Sequence, residues 1–359
     1  MDINELRDNI DRVDRQIVKL INERFEYVKG VGKWKENNKS AIYVPEREKS
    51  LLEKLDKINA EIGGALKEET LHAIYREIMS GAIALEHPVQ VGYLGPEATF
   101  TQQAALAKFG RSIKYKPATS IAEVFTEVET NRVDYGCVPI ENSTEGAVNY
   151  TLDRFVDSSA KICAEINMRI HHNLLAKCEK EQIKRVYSHA QPFGQCKKWI
   201  QANLHGIELI EVSSTSKAAQ LAVEEEFSAA IASPLAAEVY DLNILAEHIE
   251  DNCDNTTRFF IIGNQTPQPT GDDKTSICFA IKDRIGALYD SLLPFKEKNI
   301  TLTMIESRPS RKKNWQYCFF VDLLGHQSEK NVQEAIAELS DMCQFVKILG
   351  SYPRSTEIL

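Results

Sequence analysis

Four basic residues near the start of the chain have types and spacing that could hold an anionic substrate. Arg24 and Lys35 are eleven residues apart, about three helical turns, so on one helix they share a face. Arg7 lies seventeen residues before Arg24 and projects about 100° away from it, so a straight helix cannot bring it to the same site. Arg7 could instead reach a partner's site if two long helices pair antiparallel, and Arg47 is the fourth cation. On spacing alone, solvated surface charges remain the preferred interpretation, since most Arg and Lys on amphipathic helices are exposed.

Four later segments combine a short apolar strand with small polar residues and could form a hydrogen-bonding cleft. Loops at the strand ends of α/β folds converge on a ligand. Ser, Thr and Asn in turns mostly bond to their own backbone, so each segment alone could be turn chemistry. Four of them in succession favour a binding site. The segments are YLGPEATFT (93–101), GCVPIENSTEG (136–146), YSHAQPFGQC (187–196) and DNTTRFFIIG (254–263).

The bulk composition is that of a globular protein and excludes several classes. The 359 residues exceed one ordinary core, so two or three domains are expected. Hydrophobic residues make up 43%, and no apolar run approaches the roughly 20 residues of a membrane span. The net charge of -9, without a long basic tract, argues against nucleic-acid binding. The N-terminus has no apolar signal core, so a cytoplasmic protein without a membrane partner is expected.

Neither a metal nor a cofactor is expected. The eight cysteines form no CxxC pair, and the chain has no HxxxH or His-Cys-Asp ligand grouping. Reduced, mostly buried thiols are therefore predicted. No nicotinamide-binding GxGxxG follows a predicted strand, which excludes a dehydrogenase of the usual dinucleotide-binding type.

Residues 1–87 are predicted to form an all-helical domain. The first helix is unusually long, a second follows Pro45, and a Gly-Gly pair precedes a third from about Ala65 to Leu85. Three helices with one this long cannot bury their apolar stripe alone, so a homodimer through this domain is expected. The stripe recurs at three- and four-residue steps and contains Ile3, Leu6, Ile10, Val13, Ile17, Leu20, Val28 and Val31.

The periodicity changes after the helical segment. Residues 88–265 alternate short strands with helices and predict an α/β domain. The polar stretch 264–274 is rich in Pro and Gly and is typical of a linker. The rest of residues 266–359 follows a βαββαβ order, which is the α+β ferredoxin-like motif. The sequence therefore predicts three domains of different class.

The first domain resembles the all-helical class of chorismate mutases over its whole length. The resemblance rests on LRDNIDRVDRQIVKLINERFEYVKGVGKWK (6–35), on PERE (45–48) and on the third helix. It implies that Glu48 contacts the substrate hydroxyl. It also implies that four cations bind the two carboxylates and the ether oxygen of chorismate, namely Arg7 from a second subunit with Arg24, Lys35 and Arg47. The pericyclic rearrangement needs no nucleophile, only the compact diaxial conformer and stabilisation of charge on the breaking ether oxygen.

Three positions depart from the mutase pattern. Glu86 stands where the family commonly has the Gln that joins Lys35 as a donor to the ether oxygen. A glutamate can donate only when protonated, so mutase activity is predicted to improve below neutral pH, and Glu86→Gln to flatten the profile. Val44 replaces a frequent Asp and Ala82 a frequent Ser, which would remove secondary hydrogen bonds.

The second domain resembles prephenate dehydratase nearly end to end, on the four loop segments. The family's fold is two α/β lobes around a cleft, similar to periplasmic solute-binding proteins. The reaction removes the ring hydroxyl of prephenate as water and its ring carboxylate as carbon dioxide, giving phenylpyruvate. The site residues that the resemblance implies are Thr99, Glu141, Asn142, Ser188, Gln195, Thr257 and Arg258.

Several of these side chains allow more than one role. Thr257 is a poor acid, so we interpret it as a hydrogen-bond donor in a dry site. Arg258 could bind a carboxylate or pair structurally. His189 could act as an acid or could shape its loop. His171 and His172 precede an apolar run and are predicted to be core-edge residues.

The third domain resembles the small-molecule-binding ACT domain attached to dehydratases, on GALYDSLLPF (286–295) and IESRP (305–309). The resemblance implies a phenylalanine site at a domain–domain interface and feedback inhibition through it. A glycine before a helix start exposes backbone N–H groups to a carboxylate. Thr301 stands where the family often has Asn. The implied residues are Gly286, Ala287, Leu288, Glu306, Ser307, Arg308 and Pro309.

The complete pattern predicts a bifunctional enzyme of phenylalanine biosynthesis whose ligands are chorismate, prephenate and phenylalanine. One alternative is a dehydratase whose mutase domain has degenerated into a dimerisation module, and the residues at 44, 82 and 86 keep it open. A non-enzymatic amino-acid sensor is the other alternative, but a sensor needs neither Thr257 nor the cationic helices.

Overall fold

The computed structural model of the protein describes residues 2–38, 40–282, 284–309 and 317–359. The chain forms two compact units, one of residues 1–90 with 108–114 and the other of residues 91–107 with 115–359. The first unit therefore takes up a short segment from beyond the boundary that the sequence suggests. No helix among the described residues is long and apolar enough to cross a membrane.

Three helices form the first unit, as predicted: α1 (Ile3–Asn38), α2 (Pro45–Glu61) and α3 (Glu68–Glu86). Pro45 occupies the first turn of α2. A backbone N–H at that position would have no carbonyl partner within the helix, so proline removes no hydrogen bond there. Gly32 lies where α1 packs on α3, since a Cβ there would stand 3.2 Å from the Cα of Glu86. This close approach fixes the end of α1 against the end of α3.

The apolar stripe of α1 is largely uncovered within the unit. Ile10 is 58% exposed, Ile17 47% and Leu20 62%. The buried hydrophobic residues of the unit include Tyr43, which precedes α2, Leu55 on α2 and Leu71 on α3. A long helix with so much exposed apolar surface is not stabilised by its own unit alone.

The second unit begins with an α/β region. Its elements in chain order are β1 (Gln90–Leu94), α4 (Phe100–Phe109), β2 (Lys114–Ala118), α5 (Ile121–Glu129), β3 (Tyr135–Asn142), β4 (Gly146–Ala147), α6 (Asn149–Asp157), β5 (Lys161–Arg169), β6 (Asn173–Ala176), β7 (Arg185–Ser188), α7 (Ala190–Gln195), α8 (Lys197–Asn203), β8 (Glu208–Glu211), α9 (Thr215–Glu224), β9 (Ser228–Ala232), α10 (Pro234–Tyr240), β10 (Asn243–Ala246) and β11 (Thr256–Gly263).

These strands form two sheets, so the prediction of two α/β lobes is confirmed. The first sheet has the order β2-β1-β3-β11-β5, with β4 beside β3, and the second has the order β10-β6-β9-β7-β8. The chain passes between the lobes at 170–172 and returns at 247–255. Central strands such as β9 are buried on both faces, which explains their continuous apolar sequence.

The C-terminal region has the predicted βαββαβ order. Its elements are β12 (Asp273–Ile281), α11 (Ala287–Glu297), β13 (Leu302–Pro309), β14 (Tyr317–Leu324), α12 (Lys330–Met342) and β15 (Cys343–Pro353). They form an antiparallel sheet of order β13-β14-β12-β15, which is the ferredoxin-like arrangement.

The C-terminal sheet packs tightly on the first lobe. A Cβ at Gly350 of β15 would lie 2.3 Å from the carbonyl oxygen of Ile162 in β5, so only glycine fits there. The ammonium of Lys347 donates to the carbonyls of Phe155 and Ser158 at the end of α6, at 2.7 and 2.5 Å. Burial lowers the pKa of Lys347, and these carbonyls compensate for the lost water.

Two candidate active sites

A cavity of about 380 Å³ lies in the first unit, and we call it the helical cavity. Arg24 and Lys35 of α1 and Arg47 of α2 all line it, although Arg47 is exposed overall. The two carboxylates predicted at this site, Glu48 and Glu86, line it as well. The helices thus bring together every predicted chorismate residue except Arg7.

Arg7 lies on the exposed N-terminal part of α1 and does not line the helical cavity of its own chain. This position follows from the 100° offset between Arg7 and Arg24 on a straight helix. Its contribution to a second subunit's site remains a prediction.

Lys35 and Glu86 form the best-defined contact in the helical cavity. The Lys35 ammonium donates to Glu86 Oε2 at 2.7 Å and to the carbonyl of Ile42 at 2.8 Å. The side chains are 15% and 8% exposed, so water screens the pair only weakly. The close packing of α1 on α3 at Gly32, one turn earlier, produces this contact.

Arg24 has the unmet hydrogen-bonding capacity that an anion site requires. Its Nη1 is buried and has no hydrogen-bond partner among the described residues. A buried guanidinium nitrogen without a partner is costly, and a substrate carboxylate would supply the missing acceptor.

Two further cations, neither of them predicted from the sequence, line the helical cavity. Arg76 comes from α3, and Lys108 comes from the end of α4. Lys108 Nζ lies 3.2 Å from Glu48 Oε2 and 5.9 Å from the centroid of the Tyr43 ring. Five cationic side chains therefore face two carboxylates, an excess that suits a dianion.

The departures from the mutase pattern are visible in the wall of the cavity. Val44 precedes α2 and offers no side-chain cap to its N-terminus. Ala82 is 5% exposed and lines the cavity without a polar group. Both positions leave the cavity wall apolar, while Arg24, Lys35 and Arg47 remain in place.

A second cavity, of about 470 Å³, lies between the two α/β lobes, and we call it the cleft. Thr99, Asn142, Gln195 and Thr257 line it, each from a different one of the four predicted loop segments. Strand ends of both lobes converge there, as expected for an α/β fold.

A hydrogen-bond network orients Thr257 in the cleft. Asn142 Nδ2 donates to Thr257 Oγ1 at 2.8 Å and to Asn255 Oδ1 at 2.8 Å. Thr257 Oγ1 thus accepts a bond, and its own proton has no acceptor among the residues that the structure describes. The hydroxyl is left as a donor toward whatever occupies the cleft.

His172, predicted to be a core-edge residue, lines the cleft. Its Nε2 lies 2.8 Å from Gln195 Oε1, an acceptor, so the Nε2–H tautomer is assigned and Nδ1 carries a lone pair. That Nδ1 is buried and has no partner in the described part of the chain. Burial lowers the pKa of His172 and outweighs the opposing bond to Gln195, so this imidazole stays neutral at neutral pH.

The N-terminus of α9 also faces the cleft through Ser213, Ser214 and Thr215. Ser214 caps the helix by accepting from the Lys217 N–H at 3.0 Å. No Lys, Arg, Asp or Glu is found among the described residues that line the cleft. An anion there would be held by helix N–H groups and neutral donors.

Three residues predicted to bind prephenate are not among the residues that line the cleft, and their role in binding stays a prediction. Arg258 donates to Glu165 Oε2 at 2.8 Å and to Asp322 Oδ2 at 2.5 Å in a buried network, so its alternative role of structural pairing is the one observed. Ser188 is fully buried and donates to the Ile231 carbonyl. Glu141 precedes Asn142 on β3, and alternation along a strand directs adjacent side chains to opposite faces.

His189 lines the cleft, and its Nδ1 accepts from the Gln191 N–H at the start of α7. The ring therefore shapes its own loop in the structure. Of the two roles considered from the sequence, this contact supports the loop-shaping one.

The predicted phenylalanine residues lie on two elements of the C-terminal sheet. Gly286, at φ 76°, precedes α11, which begins at Ala287. Glu306, Ser307 and Arg308 lie on the edge strand β13, and Arg308 Nε is 3.3 Å from Asp153 Oδ1 of α6. Leu288 packs against the core of this sheet.

These features are those of an enzyme with two separate sites for small anionic substrates. One site is lined by cationic side chains on helices, and the other is lined by neutral side chains between two α/β lobes. The family model for chorismate mutase type II matches residues 6–87, and that for prephenate dehydratase matches residues 91–267. The bifunctional chorismate mutase/prephenate dehydratase of Aquifex aeolicus is 49% identical over 356 residues, 99% of this chain and 98% of that protein.

Solved structures agree with the dehydratase part of this assignment. A prephenate dehydratase from Arthrobacter aurescens, solved in complex with L-Phe, has a TM-score of 0.69 and 34% identity over 74% of this chain and 90% of that one. The Staphylococcus aureus prephenate dehydratase gives 0.65 and 29%, covering 74% of this chain and 100% of that one. The chain belongs to the bifunctional chorismate mutase/prephenate dehydratase family, which confirms the family predicted from the sequence.

Proposed function

We propose that the chain rearranges chorismate to prephenate in the helical cavity and converts prephenate to phenylpyruvate in the cleft. The observation that carries this proposal is that one chain contains both cavities, each lined by most of the residues predicted for it. Lys35 stands among converging cations, and Thr257 presents an unshared hydroxyl proton. Chorismate and prephenate supplied separately to the purified protein test the two halves independently. Turnover of prephenate alone would favour the degenerate-mutase alternative, for which Val44, Ala82 and Glu86 are the supporting residues.

The helical cavity can promote the rearrangement by charge and shape alone. Arg24 and Arg47 would bind the two carboxylates and hold the diaxial conformer, which brings the carbons that form the new bond together. Lys35 would donate to the ether oxygen as its carbon–oxygen bond breaks and negative charge develops. Glu48, held near Lys108, would accept from the substrate hydroxyl.

The pH dependence of the mutase follows from the Lys35–Glu86 pair. In the structure the Glu86 carboxylate holds the Lys35 ammonium, which the reaction needs as a donor to the ether oxygen. The prediction from the sequence that mutase activity improves below neutral pH therefore concerns this contact. Glu86→Gln keeps a donor that cannot ionise, so its profile should be flat over the same range. A variant whose profile follows that of the parent protein would contradict this role.

Lys108 is expected to contribute to chorismate binding. Lys108→Met removes one of the five cations and leaves the Glu48 carboxylate in the cavity without that partner. We expect KM for chorismate to rise about tenfold, equivalent to about 1.4 kcal/mol, with prephenate turnover unchanged. Lys114→Met is the matched control, because Lys114 is exposed and lies outside the cavity lining. Equal KM values for the two variants would remove Lys108 from the site.

The cleft can assist departure of the ring hydroxyl. As the bond from the ring to its carboxylate breaks, that electron pair enters the ring and expels the hydroxyl from the opposite carbon. The products are carbon dioxide, water after protonation, and an aromatic ring. Thr257, oriented by Asn142, would donate to the departing oxygen, and the α9 N-terminus would bind a carboxylate.

Homodimerisation through the helical unit is part of the proposal. The exposed stripe of α1 needs an apolar cover, and a second α1 in antiparallel contact would supply it. The same pairing would carry Arg7 to the partner's cavity. Antiparallel pairing of α1 would thus both cover the apolar stripe and supply Arg7, and these two consequences support the dimer.

We also propose that phenylalanine binds where two C-terminal domains meet and slows prephenate turnover. The βαββαβ sheet, the backbone N–H groups after Gly286 and the exposed face of β13 support an interface site of the ACT type. The L-Phe complex of the Arthrobacter aurescens dehydratase is consistent with such a ligand.

A further inference from the structure

The two crossover segments between the α/β lobes bring together three side chains that the proposed mechanism does not use. His171 lies in the first crossover, 170–172, and His248 and Glu250 lie in the second, 247–255. Their separation along the chain, 79 residues between His171 and Glu250, hides the grouping from a sequence motif search.

The donor atoms of these residues are within reach of one ion. One imidazole nitrogen from each histidine and one Glu250 oxygen all lie within 4.8 Å of one another. The His171 and His248 rings are 3.9 Å apart at 31°, and His171 Nδ1 lies 2.7 Å from Glu250 Oε1. His248 is exposed, so rotation of its side chain can shorten the remaining distances. Bonds to zinc are about 2.0–2.2 Å for these atoms.

The backbone around the three donors is fixed. The His172 N–H donates to Glu250 Oε2 at 2.8 Å, and the Ile249 N–H donates to the His172 carbonyl at 2.9 Å. The His248 N–H donates to Asn173 Oδ1 at 3.1 Å. The crossovers therefore fix the positions of the three donor residues. The bond from the His172 N–H to Oε2 orients the Glu250 carboxylate and leaves Oε1 for a ligand.

We propose that His171, His248 and Glu250 bind one divalent transition-metal ion, with zinc the best fit. Two imidazoles and one carboxylate are a donor set that zinc accepts with a fourth position open, and one that magnesium and calcium do not prefer. The bound ion would join both crossovers.

Joining the crossovers should restrict movement of the lobes, because such motion is absorbed by the few residues that connect them. The adjacent His172 and Gln195 line the cleft, so the ion would act beside the site of prephenate turnover. The effect of the ion on prephenate turnover rests on the proposed dehydratase function, whereas binding of the ion does not.

Calorimetric titration of the chelator-treated full-length protein with zinc chloride tests the site. We expect one ion per chain at this site, binding at least tenfold weaker in His248→Ala and in His171→Ala, and no comparable heat with magnesium chloride. His205→Ala is the histidine control, because His205 is exposed and lies elsewhere in the lobe. Equal zinc affinity in His248→Ala and the parent protein would overturn the site.

Cys253 needs its own control, since it is an exposed thiol in the second crossover. Cys253→Ala is expected to bind zinc as the parent protein does. A loss of binding in Cys253→Ala as large as in His248→Ala would overturn the proposed ligand set.

Turnover measurements test the coupling separately. Saturating zinc is expected to lower kcat for prephenate several-fold in the parent protein, not in His248→Ala, and to leave chorismate turnover unchanged. Zinc binding without a change in prephenate turnover would overturn the coupling and keep the ion site. Absence of dehydratase activity before zinc is added would instead count against the proposed function.

Discussion

Replacing Lys35 by methionine is expected to lower mutase kcat/KM about 10²–10³-fold, equivalent to about 2.7–4 kcal/mol of transition-state stabilisation. Methionine keeps the length and apolar stem of lysine and removes only the charged donor. In the helical cavity that donor is 15% exposed and lies 2.7 Å from Glu86, so water cannot replace it effectively. The loss should fall mainly on kcat, because the charge on the ether oxygen develops only as the bond breaks.

The matched control for Lys35 is Lys33→Met, at an exposed position of the same helix outside the cavity lining. It should leave mutase activity within about twofold of the parent protein. Prephenate turnover should be unchanged in both variants and so reports that each is folded. If Lys33→Met and Lys35→Met lost activity to the same extent, the charge-stabilisation role of Lys35 would be wrong.

Replacing Thr257 by valine is expected to lower dehydratase kcat about 10²–10⁴-fold, the range of a lost proton donor in a transition state. Valine has nearly the same shape and lacks the hydroxyl. Asn142 donates to Thr257 Oγ1 in the structure, which directs the hydroxyl proton away from Asn142 and toward the cleft. The variant should still bind prephenate, since the α9 N-terminus and Gln195 remain.

Thr256→Val is the control for Thr257, because its hydroxyl donates to the Asp254 carbonyl and it does not line the cleft. Comparable losses in the two variants would show that the strand end, not the Thr257 hydroxyl, matters. The mutase rate should be the same in both, which separates chemistry from unfolding.

Much of the fold could be predicted from periodicity. The apolar repeat of α1, Pro45 at the start of α2 and the alternating strands and helices afterwards each depend on local sequence, so their elements were found close to their observed bounds. The sequence predicts the start of α3 three residues early, at Ala65 rather than Glu68, because helix ends depend on caps more than on pattern.

The candidate sites were predicted less completely, for two physical reasons. Lys108 and Arg76 reach the helical cavity through tertiary packing, and neither has a local signal that separates it from a surface charge. His172 and the α9 N-terminus reach the cleft in the same way. Only the geometry of the folded chain brings them there.

Arg258 shows a different limit of prediction from the sequence. It follows directly after Thr257, and the resemblance to prephenate dehydratase implies both as site residues while leaving structural pairing open for Arg258. Adjacent strand residues point to opposite faces, so a Thr257 that faces the cleft requires Arg258 to face away, where it meets Glu165 and Asp322. Applying the two-residue period of a strand to this motif would have placed Thr257 and Arg258 on opposite faces of the sheet.

If one chain carries both reactions, a time course with chorismate as the only substrate should show them in sequence. Chorismate, prephenate and phenylpyruvate would be followed separately in one reaction, with and without phenylalanine. We expect chorismate to disappear, phenylpyruvate to accumulate through prephenate, and phenylalanine to slow the second step. Unchanged chorismate, in protein that still converts added prephenate, would contradict the presence of both reactions in one chain and reduce the helical unit to a dimerisation element.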